Sequence, residues 1–173
     1  MRAFLAIELP SDIKEHLSTI VKSMSQRIPG VKWVRAEGQH VTLKFFGEIS
    51  DNKVQEIIGI TADIGGQHAA IPAQLKEINA FPDLRRPRVI VATFQEGVDN
   101  VRAIFHDIEN RLSILGIAKE QREFTPHITL GRIKVPPPLL RKDMLPLEEK
   151  SFFGESRSLP EHINERRGAV YSA

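Results

Sequence analysis

The tetrapeptides His40-Val41-Thr42-Leu43 and His127-Ile128-Thr129-Leu130 are almost the same sequence written twice, 87 positions apart (127 less 40), in a chain with 6 histidines among 173 residues. Alternate side chains of a β-strand leave opposite faces. Each copy therefore sends its aliphatic pair one way and its imidazole and hydroxyl the other, the latter two about 7 Å apart at a rise of ~3.4 Å per residue. Val41, Leu43, Ile128 and Leu130 bury one face of each strand, and His40, Thr42, His127 and Thr129 face a surface that a ligand can reach. Any fold for this chain has to provide two such strands.

The same offset aligns more than these letters. Residues 90–95 fall on 3–8, and a helix starting near Asp99 falls on one starting near Asp12. Each half reads as strand, amphipathic helix, then His-x-Thr strand. The first helix is announced by Pro10-Ser11-Asp12, carries Ile13, Leu17, Ile20, Val21, Met24 and Ile28 on one face, and stops at Pro29-Gly30. A second runs from Asp51 through Val54, Ile57, Ile58 and Ile64 to Gly65-Gly66. A third runs from Asp99 through Val101, Ile104, Phe105, Ile108, Leu112 and Leu115 to Gly116.

Strand-like runs cover 2–8, 32–35, 39–47, 71–79, 88–95, 127–134, 151–158 and 168–172, and a short helix is expected within 138–149 after Pro136-Pro137-Pro138. The predicted fold class is α+β. We expect a single domain over residues 1–173 of two similar, pseudo-duplicated lobes, facing one another across a shared cleft that brings the two motifs together.

Composition narrows the chemistry. With no cysteine, disulfides, thiolate nucleophiles and Cys-based zinc sites are excluded. The 41% of apolar residues suffices for a sizeable core. The run Ala3-Phe4-Leu5-Ala6-Ile7 is broken by Glu8 and Pro10, too early for a membrane span, so no membrane association and a cytoplasmic location are expected. Lys and Arg exceed Asp and Glu by only 24 to 22, but cations gather at Arg85-Arg86-Pro87-Arg88, Arg132-Ile133-Lys134, Arg141-Lys142 and Arg166-Arg167, which permits an anionic ligand. No Gly-x-Ser-x-Gly elbow, Walker loop or Gly-x-Gly-x-x-Gly is present. Neither motif has the flanking carboxylates or His-x-x-x-His spacing of a zinc site, so no metal and no cofactor are expected.

Two imidazoles, each titrating near pH 6.5, can serve as one acid and one base at neutral pH. Cleavage of a phosphodiester needs both: a base for the attacking hydroxyl or water, and an acid for the departing oxygen. The Thr42 and Thr129 hydroxyls can donate to non-bridging phosphoryl oxygens, where charge grows in the transition state. Two half-buried strand histidines with purely structural hydrogen bonds remain the competing reading.

The stretches WVRAEGQHVTLKFFGEI (33–49) and FTPHITLGRIK (124–134), opened by MRAFLAIELP and joined by AFP…RRPRV at 80–89, resemble the two-histidine phosphoesterase superfamily. Within it the closer likeness is to the RNA 2′,3′-cyclic phosphodiesterase branch, also called the 2′-5′ RNA ligase group. The resemblance implies a bilobal α+β fold, with two antiparallel sheets lining a central cleft and helices packed outside. It implies hydrolysis of RNA 2′,3′-cyclic phosphate ends, among them tRNA fragments or nucleoside 2′,3′-cyclic phosphates, to 2′-phosphomonoesters. It implies His40 as proton donor, His127 as proton acceptor, and 2′-5′ ligation as the reverse reaction. Alternatives are a module that binds RNA ends without turnover, and an esterase for another cyclic phosphodiester.

Around the motifs, Lys44 continues the His40 and Thr42 alternation and is expected on the cleft face beside phosphate. Arg132 matches the arginine that follows the second motif in the family, but reaches that face only if Gly131 hosts a bulge. Trp33 and Phe124 are candidate base-stacking residues, with core packing the favoured role for Phe124, and Arg35 with the 85–88 cluster is a candidate for following an RNA backbone. A monomer is expected. The tail departs from the family pattern: Ser158-Leu159-Pro160 is followed by the polar stretch 161–167 before Gly168 and Tyr171.

Overall fold

The computed structural model describes residues 2–68, 71–135, 140–145, 151–154 and 169–171, the last two stretches as backbone. Along the chain these are β1 (Arg2–Glu8), α1 (Ser11–Ser25), β2 (Val31–Trp33), a 3-10 turn (Ala36–Gly38), β3 (His40–Glu48), α2 (Asp51–Gln67), β4 (Ile71–Phe81), β5 (Val89–Glu96), α3 (Val98–Ile114), β6 (His127–Ile133), a second 3-10 turn (Lys142–Met144), β7 (Ser151–Gly154) and β8 (Ala169–Tyr171). The α+β class holds, and β1-α1-β3 recurs as β5-α3-β6. Residues 155–168, where the tail departs from the family pattern, lie outside the described set.

The strands hydrogen-bond in the order β7-β4-β5-β6-β3-β1-β8, with β2 also on β6. All pairings are antiparallel except β1 with β8. The two expected sheets are thus the two halves of one path, joined where β3 meets β6 at the single register pair Val41 and Ile128.

Helices form where the periodicity predicts, with two differences at their ends: α1 stops at Ser25, short of Ile28, and α2 runs past its glycines. The Ser50 hydroxyl caps α2 by accepting from the Lys53 amide at 3.4 Å, but the helix runs on through Gly65-Gly66 to Gln67. Tertiary contacts hold that last turn: Ile64 is buried, and Arg111 of α3 binds both Asp63 and the Gln67 side chain. Such contacts outweigh the ~1 kcal/mol by which each glycine disfavours helix.

Ile13, Leu17 and Met24 of α1, Val54, Ile57 and Ile64 of α2, and Val101, Phe105, Ile108 and Leu112 of α3 close over one face of the sheet. There they meet Leu5, Val41, Leu43, Ile90, Ala92, Ile128 and Leu130 in one core. Full burial of each large aliphatic side chain is worth about 1.5–3 kcal/mol, so the aliphatic halves of both motifs are firmly anchored. Among the described residues no helix is long and apolar enough to cross a membrane.

Candidate active site

Val41 and Ile128, the middle residues of the two His-x-Thr triplets, oppose one another in the antiparallel pairing of β3 with β6. One step along such strands sets His40 opposite Thr129 and Thr42 opposite His127. The four polar side chains share the face turned away from Val41 and Ile128, and all four are half-buried. The two imidazoles thus lie on one face, on either side of the rung that Val41 and Ile128 form. Hydrogen-bonded pairing is confined to the Val41–Ile128 rung, so the strands part on either side of it.

Each motif is followed by a bulge at the same repeat position. Ala6 pairs with Thr42 but Leu5 with Lys44, and Val91 pairs with Thr129 but Ile90 with Gly131. Leu43 and Leu130 are the extra residues, and the alternation restarts after them. Lys44 and Gly131 therefore stay on the core side, while Phe45 and Arg132 return to the face of the histidines. Gly131 has a steric reason to lack a side chain: a Cβ there would lie 2.6 Å from Val31 Cγ1 and 3.0 Å from the Trp33 ring.

His40 sits in a partly dehydrated, cation-facing environment. The Phe4 ring stacks on its imidazole at 4.9 Å between centroids and 26° between planes. Glu8, its register partner on β1, forms an ion pair with Lys14 of α1. Burial first, then the charges of Lys14 and Arg132, push the His40 pKa down from 6.5 to about 4, so the ring is neutral at pH 7. The influence of Arg132 on His40 reaches from β6 to β3, across the junction between the two halves. Lys14 is itself held below its usual range by burial, against the opposing charge of Glu37.

His127 is oriented differently. Its Nδ1 lies 2.7 Å from the Thr125 carbonyl oxygen, which can only accept, so Nδ1 carries the hydrogen and Nε2 is left for proton exchange. The Phe81 ring meets it edge-on at 5.2 Å. Its register partner Thr93 donates a hydroxyl hydrogen bond to the Glu77 carbonyl at 3.1 Å, tying β5 to β4 behind the site. Among the described residues no three His, Asp or Glu side chains group as metal ligands.

The sequence matches the profile of the LigT-like phosphoesterases over residues 7–91 and 94–150. The chain belongs to that family. It is 38% identical over 135 residues to an RNA 2′,3′-cyclic phosphodiesterase of Methanocaldococcus jannaschii, covering 78% of this chain and 72% of the other. To one from Aeropyrum pernix it is 34% identical, over 82% of each chain. A Thermus thermophilus protein of known structure superposes with a TM-score of 0.74 at 25% identity, over 87% of this chain and 84% of that one.

In this LigT-like phosphoesterase the remaining candidates divide between cleft and core. Lys44 requires a correction: the bulge at Leu43 turns it off the cleft face, and it is 8% exposed. Its Nζ donates to Glu109 Oε1 at 2.5 Å and to the Ala118 carbonyl at 2.9 Å, while Glu109 Oε2 accepts from the Glu120 amide at 2.6 Å. Trp33 opposes Gly131 on the core side, away from the cleft. Phe124 stacks on Phe105 of α3 at 4.2 Å and 7°, again in the core. Neither aromatic faces the histidines. Arg35 is exposed at the entry to the 3-10 turn that leads into β3.

Two residues on the cleft face escaped the sequence reading. Phe45 is 70% exposed and lies 5.9 Å from Phe4, and its repeat position is that of Arg132. Lys32 is exposed directly opposite Arg132 in the β2–β6 pairing. The first was hidden by the unmarked bulge at Leu43. The second was legible as the residue alternating with Trp33, had the pairing of β2 been known.

Proposed function

We propose that this protein hydrolyses RNA 2′,3′-cyclic phosphate ends to 2′-phosphomonoesters, with His40 and His127 exchanging the protons and no metal taking part. The observation that carries the reading is the Val41–Ile128 register, which gives the two imidazoles one shared face with Arg132 beside them. The names of the relatives above support the substrate class.

In the reaction a water attacks phosphorus and passes its proton to His127 Nε2. The bond from phosphorus to the 3′ oxygen breaks, and that oxygen takes a proton from His40, leaving the phosphate on the 2′ oxygen. Thr42, Thr129 and Arg132 meet the charge on the non-bridging oxygens. Neutral His40 acquires its proton as the substrate anion offsets the field of Lys14 and Arg132. The reverse of the same step, with an RNA 5′-hydroxyl in the place of water, gives a 2′-5′ linkage; it competes only when the cleft holds both ends in position.

The test is a phosphorus NMR spectrum of a nucleoside 2′,3′-cyclic phosphate incubated with purified protein in EDTA. The expected product is the 2′-monophosphate, lost in His40→Ala and His127→Ala. A 3′-monophosphate, a dependence on added metal, or binding without product each contradicts the reading.

A further inference from the structure

Lys32 and the segment around it carry charge that the catalytic reading leaves unused. β2 and β3 line the same edge of β6: Val31, Lys32 and Trp33 pair with Ile133, Arg132 and Gly131, and after the 3-10 turn Val41 pairs with Ile128. Trp33 and Gly131 face the core, so Lys32 and Arg132 share the cleft face. The rung of Lys32 lies two to three residues along β6 from that of His40, about 7–10 Å. That is the scale of one nucleotide of extended backbone.

The same rim continues onto the loop between β4 and β5. The Arg88 carbonyl accepts from the Ile133 amide at 2.9 Å, which locks this loop against the end of β6. Asp83 Oδ1 accepts from the amides of Arg85 and Arg86 at 2.7 and 2.9 Å, fixing the turn and leaving both guanidinium groups exposed. Those bonds hold the Asp83 carboxyl below its usual range. Across 31–35, 81–89 and 131–135 the cations are Lys32, Arg35, Arg85, Arg86, Arg88, Arg132 and Lys134, and the only acid is Asp83. None of these cations forms an ion pair among the described residues, whereas Lys14, Lys44, Lys53, Arg111, Arg141 and Lys142 all do.

We infer that Lys32 binds the phosphate on the 5′ side of the terminal nucleotide, and that Arg85 and Arg86 extend this track to earlier phosphates, so that an RNA chain is preferred over a free cyclic nucleotide. The inference rests on the reading of the cleft as a cyclic phosphodiesterase site. A free cyclic nucleotide has one phosphate, which the motif residues and Arg132 take; a second cation set is satisfied only by a polynucleotide. Phosphate contacts of this kind add affinity and register without reading sequence.

Two substrates separate the claims: a nucleoside 2′,3′-cyclic phosphate and an octanucleotide ending in the same group. Turnover of the first tests the catalytic reading alone. For the subsite, the ratio of kcat/KM for octanucleotide over mononucleotide is expected to fall about tenfold in Lys32→Ala and to recover in Lys32→Arg. It should hold in Lys22→Ala, which removes an equal charge from the exposed side of α1. Log kcat/KM for the octanucleotide should decline with log salt, and by about 0.7 less steeply in K32A, the share of one phosphate on a single strand. Fluorescence anisotropy of the labelled octanucleotide decides the subsite even if neither substrate is turned over. Equal affinity in wild type and K32A, or an equal loss in K32A and K22A, overturns the inference.

Discussion

Val41 faces Ile128 across the junction of β3 and β6, and each is the central residue of its own His-x-Thr triplet. An antiparallel pair has a local twofold relation about the rung where equivalent residues meet. The repeat in the sequence and the junction in the sheet therefore share one axis. Each half supplies one histidine and one threonine to the common face, so neither half of the chain contains all four.

Loss of either histidine should abolish most of the activity without unfolding the protein. His40→Ala and His127→Ala are each expected to lower kcat by about 10²–10⁴, the usual worth of one general acid or base. The double variant should be little worse than the poorer single one, because the two act on one transition state. Steady-state kinetics beside circular dichroism checks this. An additive loss means that the residues do not act together.

The titration of His40 should show in both stability and kinetics. Its folded pKa of about 4 lies below the 6.5 of the unfolded chain, so the unfolded state binds the proton more readily. The associated stabilisation is complete above pH 6.5 and fades as pH falls through 4. A titration near 4 is expected in the kcat/KM profile, which reports the free enzyme, and at higher pH in that of kcat, since a bound phosphodiester favours the imidazolium. Arg132→Gln removes one of the cations facing the ring and should shift the His40 titration upward, as followed by proton NMR. An unshifted titration means that Arg132 does not act on His40.

The Lys44–Glu109 pair should matter for stability, since both side chains are buried, at 7% and 5% exposure. Lys44→Ala leaves the Glu109 charge unmatched and is expected to cost about 3–5 kcal/mol in urea unfolding at pH 7. The apolar double variant Lys44→Met with Glu109→Leu should recover most of that. Its Glu120 amide, deprived of the Glu109 acceptor, should exchange hydrogen faster.

Gly131→Ala should damage fold and function together. The new methyl would overlap Val31 and crowd Trp33, an overpacking cost of about 1–3 kcal/mol. Relief at the strand end displaces Arg132, the next residue, so kcat/KM should drop as well. Adding Val31→Ala is expected to restore both. Recovery of stability alone would separate Arg132 from the reaction.

Much of this architecture was legible because period-two alternation and the repeat offset are properties of sequence. His40, Thr42, His127 and Thr129 were assigned to a common face on that basis, and the structure brings them onto one. The errors came from where alternation stops. A bulge after Thr129 is signalled by Gly131, but its twin after Thr42 has Lys44 in the equivalent place, and a lysine gives no warning of a change of face. Trp33 and Phe124 are large aromatics beside the motifs; the packing of α3 matches the core role favoured for Phe124, and only the pairing of β2 with β6 reveals that Trp33 serves the core as well. Helix α2 overran its glycines because Arg111, distant in sequence, secures its end.

Phe45 and Arg132 occupy matching places in the two copies and have nothing chemically in common. A pocket with true dyad symmetry would accept an asymmetric strand equally well in either direction, and half of all encounters would present the wrong oxygen to the wrong ring. One greasy plate and one fixed positive charge at mirrored stations remove that degeneracy. Together with the unlike surroundings of His40 and His127, divergence at this pair of positions gives the face a head and a tail.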